Sequence, residues 1–248
     1  MLSVLTTSAM AEPVYHKPKL IEGTTSGSSS NWAGYALDAP IGSVTDVKGS
    51  WIVPAVTCSN KNTYSSFWIG IDGDNSSTVE QIGTSSDCNK GKATYYAWFE
   101  FYPAYPVTIT TVSVSPGDLI SGEVNYDSVS DQFTVSITNQ NTTKSYSTTG
   151  KVSNAKRNSA EWIAEAPWRG TVLPLANFEK SYFGYVYTGD ITTNSATIGG
   201  ITGNTNSFKT SPTVNVNTIT MLSRRTIKAQ PSAITSDGTS FWVKWFSS

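Results

Sequence analysis

The 248-residue chain carries 17 Lys and Arg against 18 Asp and Glu, a formal net charge of −1, and only 14% of its residues are charged. Its basic residues are scattered and form no stripe interleaved with aromatics, which excludes the electrostatic footprint of a nucleic-acid binder. No apolar run approaches the ~18 residues of a membrane span, and the length suits one β domain with a sizeable core.

The chain opens on LSVLTTSAMAEP, a short apolar run followed by Ala9-Met10-Ala11, so residues 1–11 read as a signal-peptide remnant. Residues 12–30, including VYHKPKLIEGTTSGSSS, are mildly basic and then rich in Gly and Ser, the composition of a short pro-segment or flexible tether. From NWAGYAL onward the texture is that of a single folded domain, residues 31–248. Strands are expected over 46–53, 65–71, 95–102, 132–137, 182–187 and 241–246, which are rich in β-branched and aromatic residues and bounded by Gly, Pro, Asn and Asp. SDG at 236–238 reads as the turn of a terminal hairpin. Period-two alternation recurs and no helical period holds, so the expected fold is all-β, an antiparallel sandwich or jelly roll. Cys58 and Cys88 are read as a disulfide in preference to two buried thiols.

The inventory closes several chemistries. His16 is the only histidine and lies in the tether region, which removes a Ser/His or Cys/His pair and a histidine-based zinc site from the folded domain. No metal or cofactor is called for. None of the ten Asp sits in a D-T-G or D-S-G turn, the signature of paired-aspartate proteases. Acid–base work would fall to Glu or an isolated Asp.

Strand parity assigns faces. In YYAWFEFYP, Tyr95, Ala97, Phe99 and Phe101 read as core, while Tyr96, Trp98, Glu100 and Tyr102 form an aromatic face with one carboxylate, like the lining of a groove. In SSFWIGIDG, Phe67, Ile69 and Ile71 point inward, opposite Trp68, Gly70 and Asp72. TVEQIGT places Val79, Gln81 and Gly83 on one parity. SAEWIAEAP holds two glutamates four positions apart, and its surroundings favour a strand over a helical turn. On a strand they share a face about 13 Å apart, at ~3.3 Å per residue. Glycosidase carboxylates stand about 5 to 9.5 Å apart, so Glu161 and Glu165 are not such a pair.

NWAGY (31–35), SSFWIGIDG (65–73), EQIGT (80–84), YYAWFEFYP (95–103) and SAEWIAEAP (159–167) resemble, in order and spacing, the motifs of the glutamic peptidases, or eqolisins. The resemblance runs from about residue 31 to the C-terminus. It implies a secreted, acid-active endopeptidase acting on polypeptides, folded as two antiparallel sheets and working through Gln81 and Glu161. It also implies that Trp32, Gly34, Trp68, Asp72, Gly73, Gly83, Trp98, Glu100 and Tyr102 line or support the cleft. Where the family commonly has Asp, two positions before Trp98, this chain has Tyr96, so a hydrogen bond is expected to be lost or replaced. A general base must be ionised, and an ordinary Glu is largely protonated near pH 3; the expectation is that donors such as the Gln81 amide lower the Glu161 pKa. Glu100 is a candidate helper acid. The alternatives are a glycoside hydrolase using Glu100 and Glu161, or a carbohydrate-binding lectin with the aromatics as stacking platforms. A monomer is expected, with no nucleic-acid or membrane partner.

Overall fold

A computed structural model describes residues 14–22, 27–191 and 193–248; the expected leader remnant lies outside them. In chain order the strands begin with β1 (Ser28–Ser29), β2 (Trp32–Asp38), β3 (Val44–Ile52), β4 (Ser66–Ile71), β5 (Val79–Asn89) and β6 (Lys92–Tyr102). They continue with β7 (Val107–Ile109), β8 (Leu119–Asp127), β9 (Gln132–Asn139), β10 (Lys144–Gly150), β11 (Ser159–Glu165) and β12 (Lys180–Phe183). After the short helix α1 (Tyr185–Thr188) come β13 (Ser195–Ile198), β14 (Ile201–Asn204), the short helix α2 (Thr205–Phe208), β15 (Asn215–Ser223), β16 (Thr226–Pro231) and β17 (Phe241–Trp245).

Two sheets pack face to face. The cleft sheet runs β15–β2–β11–β4–β5–β6–β7, antiparallel throughout. The second sheet runs β10–β9–β8–β3, and β3 continues through β12 to β17, β16 and the far end of β15. Strand β15 crosses from one sheet into the other, the way a sandwich turns a corner.

Alternation divides every cleft-sheet strand. Phe67, Ile69, Ile71, Ile82, Ala97, Ala160, Trp162 and Ala164 point into the dry interior, where they meet Trp51, Ile120, Val124, Phe133 and Val135 of the second sheet. Two indoles clamp the sheets together: Trp51 Nε1 donates to Thr84 Oγ1 at 2.8 Å, and Trp162 Nε1 to the Lys48 carbonyl at 2.8 Å. The opposite parity builds a separate buried cluster of Trp32, Ala36, Trp68, Val79, Trp98, Ile163 and Ile219, with Tyr96 and Tyr102 at its edge. This is the expected groove face.

The expected strand 182–187 is cut short. It ends at Phe183, and Gly184 turns the chain into α1 at φ 94. A Cβ there would stand 2.0 Å from the Thr239 carbonyl, so only glycine allows the turn. The terminal hairpin closes through 236–238, with β16 paired to β17.

Cys58 and Cys88 are bonded across a separation of 30 residues. Loop-closure entropy assigns such a link about 3 to 4 kcal/mol. Replacing both with Ser is expected to lower the unfolding free energy by about 2 to 4 kcal/mol in urea titration. An unchanged midpoint would contradict that account.

Candidate active site

Residues paired across adjacent strands point to the same face, so the register of the cleft sheet lays its outward side chains in rows. One row reads Ala36, Glu161, Gly70, Gln81, Glu100 from β2 to β6. The next reads Gly34, Ile163, Trp68, Gly83, Trp98, and the third Trp32, Glu165, Ser66, Ser85, Tyr96. Gln81 and Glu161 flank Gly70. At ~4.8 Å per strand their Cα atoms stand about 10 Å apart, and the missing side chain at Gly70 leaves the space between two long polar side chains open. Tryptophans of the second and third rows form the floor: the Trp32 and Trp68 rings meet edge to face at 4.9 Å.

The remaining anticipated residues fall around these rows. Gly83 has no room for a side chain, since a Cβ would sit 2.5 Å from both the Phe67 carbonyl and Trp68 Cβ. Gly34 is likewise pressed on the Trp162 carbonyl. Asp72 accepts from the backbone N–H groups of Arg157 and Asn158 at 2.8 and 3.0 Å, so it holds the 156–158 loop at the end of the cleft. Tyr102 lies at the rim. Tyr96 donates through its hydroxyl to Asp87 Oδ2 at 2.9 Å, so the position that departs from the family pattern makes a hydrogen bond of its own.

Residues 14–19 lie along the cleft, and residues 20–22 continue beside β1. Tyr15 exchanges backbone hydrogen bonds with Trp168 at 2.8 and 2.9 Å. The His16 N–H donates to Glu100 Oε2 at 2.9 Å, and the His16 carbonyl accepts from Gln81 Nε2 at 2.6 Å. Its imidazole stacks on Trp98, centroids 3.5 Å apart and planes within 5°, with Nδ1 3.1 Å from Glu165 Oε2. The Lys17 carbonyl accepts from Trp32 Nε1 at 3.0 Å and Asn31 Nδ2 at 3.3 Å. Beyond it, Lys19 forms a buried ion pair with Asp74 and donates its N–H to the Gly73 carbonyl at 3.0 Å.

Three neighbours of the site are not among the residues anticipated from the sequence. His16 sits inside the folded site and not outside it, though its partners are Glu100, Glu165 and Trp98 and no serine. Glu165 shares the face of Glu161, as parity requires, yet it anchors Trp68 Nε1 at 2.9 Å together with His16. Asn31 reaches the threaded chain through its amide. Parity could have ranked Glu165 higher, and Asn31 opens the NWAGY motif; nothing local marks His16.

Electrostatics favour neutral groups. Burial, the largest cause in each case, pushes Glu100, Glu161 and Glu165 well above the usual carboxylate range. Asp72, Asp74 and Asp38 push Glu161 further up, and the nearby Ser159 hydroxyl opposes them. The expectation that Gln81 lowers the Glu161 pKa is not met: the Gln81 amide is committed to the His16 carbonyl and, at 3.2 Å, to Glu100 Oε2. Burial also drives His16 down to about 3, so its contact with Glu165 is a hydrogen bond between neutral groups.

These shifts fix the direction of a stability profile. Besides the three cleft glutamates, Glu80 is raised well above its usual value, Asp72 is raised, Asp38 and Asp46 are raised to about 6, and Asp87 to about 7, all chiefly by burial. In the unfolded chain such groups ionise near pH 4. Between that value and the raised folded one the native state holds the extra protons, so stability falls as pH rises, by ~1.4 kcal/mol per unit for each proton. His16 acts the opposite way, losing stability as pH falls from ~6.5 toward its lowered value. Eight carboxyls outweigh one imidazole, and the melting temperature should drop steadily from pH 4 to pH 7. A midpoint that rises over this window would contradict the buried neutral carboxyls.

Comparison with known proteins identifies the family. Residues 30–223 match the model of the Peptidase A4 family. Aspergillopepsin-2 of Aspergillus niger is 31% identical over 210 residues, covering 73% of this chain and 70% of that protein. Scytalidopepsin B of Scytalidium lignicola is 34% identical over 140 residues, 55% of this chain and 51% of that protein. The fold is similar to scytalido-glutamic peptidase solved with a transition state analog inhibitor, at TM-score 0.71 and 21% identity, over 88% of this chain and 98% of that one. It is also similar to aspergilloglutamic peptidase from Aspergillus niger, at TM-score 0.59 and 24% identity, over 74% and 99% of the two chains. The match over residues 30–223, with the 31% identity to aspergillopepsin-2, places the chain in the Peptidase A4 family, the glutamic peptidases or eqolisins.

Proposed function

We propose that the protein is a secreted endopeptidase working in acid, in which Glu161 activates the attacking water and Gln81 stabilises the oxyanion. The observation that carries this reading is the 2.6 Å hydrogen bond from Gln81 Nε2 to a peptide carbonyl lying in the cleft, in the row that also holds Glu161. An amide that donates to a ground-state carbonyl strengthens that bond as negative charge builds on the oxygen. Gln81 cannot ionise, so it offers the same donor at any acidity. Glu100 accepts from the same nitrogen and from the backbone N–H of the threaded residue, and so orients the amide toward the carbonyl.

Glu161 serves as base in its ionised form. Burial is the main cause that holds its proton, so water entering the opened cleft relieves the shift and frees the carboxylate. It takes a proton from the water as the oxygen attacks, then returns it to the leaving nitrogen. The domain 31–248 carries this chemistry, with Trp32, Trp68 and Trp98 as the floor on which a polypeptide lies. Support for secretion comes from the Cys58–Cys88 disulfide, which suits an oxidising compartment. Support for a peptide occupant comes from the related structures solved with a peptide-based transition state analog and with the tripeptide Ala-Ile-His. The glycosidase reading loses ground on the partners of Glu100: its Oε2 accepts from Gln81 Nε2 and from the His16 backbone N–H, which gives it an orienting role beside the amide.

Hydrolysis of an acid-denatured protein by purified variants tests the assignment. Gln81→Ala should lose about 10²- to 10³-fold in kcat, the effect of removing one oxyanion donor. Glu161→Gln should lose at least ~10²-fold, and both should keep the wild-type circular dichroism spectrum. Full activity in either would overturn the assignment.

A further inference from the structure

A cavity of about 700 Å³ opens beside β12 and β17, and none of its lining residues belongs to the cleft. Its size falls within the range of small-molecule sites, about 300 to 1,000 Å³. Val56, Phe178, Tyr182 and Trp245 give it an apolar side, while Lys180 and Lys244 bring two ammonium groups to the same space. These lysines are exposed and stand directly opposite each other in the antiparallel pairing of β12 with β17, so both leave the sheet on one face. Like charges in that position repel and destabilise the strand pair. Among the described residues neither lysine forms an ion pair, whereas Lys48 reaches Asp46 and Glu123, and Lys151 reaches Asp131. What steadies the two ammonium groups is aromatic: Lys180 Nζ lies 4.8 Å from the ring centroid of Trp242, and Lys244 Nζ 5.1 Å from that of Phe246. A ring face attracts a cation without neutralising it, so the mutual repulsion remains.

Two further groups of the lining can donate to an anion. Asn177 spends its Oδ1 on the Glu179 N–H at 3.1 Å, which leaves its amide nitrogen as a donor. Thr57 pairs with Asn177 through its backbone and keeps its hydroxyl for a ligand. Glu179 is the one carboxylate of the lining, and it opposes a negative occupant. We propose that this cavity binds a small organic anion with a carboxylate head and an apolar body. The head lies between Lys180 and Lys244 and removes their repulsion, and the body rests on Phe178, Tyr182 and Trp245. Charge complementarity selects the head; the apolar side selects against a bare hydrated ion, which would leave that surface uncovered. Two sources offer this chemistry, the carboxyl end of a peptide that closes on an apolar residue and a short fatty acid. The site needs nothing from Gln81 or Glu161.

Calorimetric titration of the full chain at about pH 6, where a free carboxyl is ionised, tests the site. N-acetylphenylalanine and octanoate serve as probes for the two sources, and N-acetylphenylalaninamide as the uncharged control. The expected result is saturable binding of at least one of the acids to a single site, with the amide at least ~10-fold weaker. Lys180→Gln combined with Lys244→Gln should weaken the acids at least ~10-fold, the effect of losing a hydrogen bond to a charged group, and leave hydrolysis of a denatured protein unchanged. Glu179→Gln should tighten them. The acid that binds more tightly identifies the source. Absence of binding by both acids, equal binding of the amide, or an affinity that survives in the double lysine variant would overturn the proposal.

Discussion

The two-residue period of the cleft-sheet strands is the constraint on which everything else hangs. On β11 it sends Ala160, Trp162 and Ala164 into the sandwich and Glu161, Ile163 and Glu165 into the cleft. A slip of one residue would bury two carboxyls among Trp51, Ile69 and Phe133 and turn Trp162 outward. The indole clamps from Trp162 to Lys48 and from Trp51 to Thr84 resist such a slip, because their donors find partners only in the present register. Packing on one face of the sheet therefore positions the chemistry on the other.

That division explains how a site so polar can be so dry. The cleft carboxyls are fully buried beneath residues of the same chain, and each neutral form is favoured by the loss of solvent. Burying several ionised carboxylates side by side would be prohibitive; in acid they enter the fold already protonated. The acidic end of the cleft, with Asp38, Asp72 and Asp74, is met by Lys19, and the aromatic end by His16 and Tyr15. The chemistry of residues 15–19 complements the groove, as a peptide substrate would have to.

Much of this is legible in the sequence because alternation is a local property. YYAWFEFYP sorts correctly into core and cleft faces, as does SSFWIGIDG, and strand spacing alone is enough to rule out Glu161 and Glu165 as a glycosidase pair. What local pattern cannot carry is partnership across the sheet. That Gln81 and Glu161 share a row with only Gly70 between them depends on the register of β11 against the β4–β5 pair, far away in sequence. The folding of His16 into the cleft depends on contacts with Trp98, Glu100 and Glu165, from 82 to 149 positions away. Composition assigns that stretch to a tether because it is short, basic and followed by Gly and Ser. The expected Glu161 pKa goes astray for the same reason: desolvation and the neighbouring Asp38, Asp72 and Asp74 are set by the folded surroundings and not by the local pattern.

The central claim is that Gln81 and Glu161 act as one unit on one carbonyl. A double-mutant cycle on kcat/KM for a denatured protein substrate in acid, with Gln81→Ala, Glu161→Gln and the double variant, measures it directly. Groups that work on the same transition state are strongly non-additive, so the double variant should be no more than about 3-fold worse than the poorer single one. Losses that multiply, each factor appearing in full in the double variant, would mean that the two residues act independently and would contradict the account.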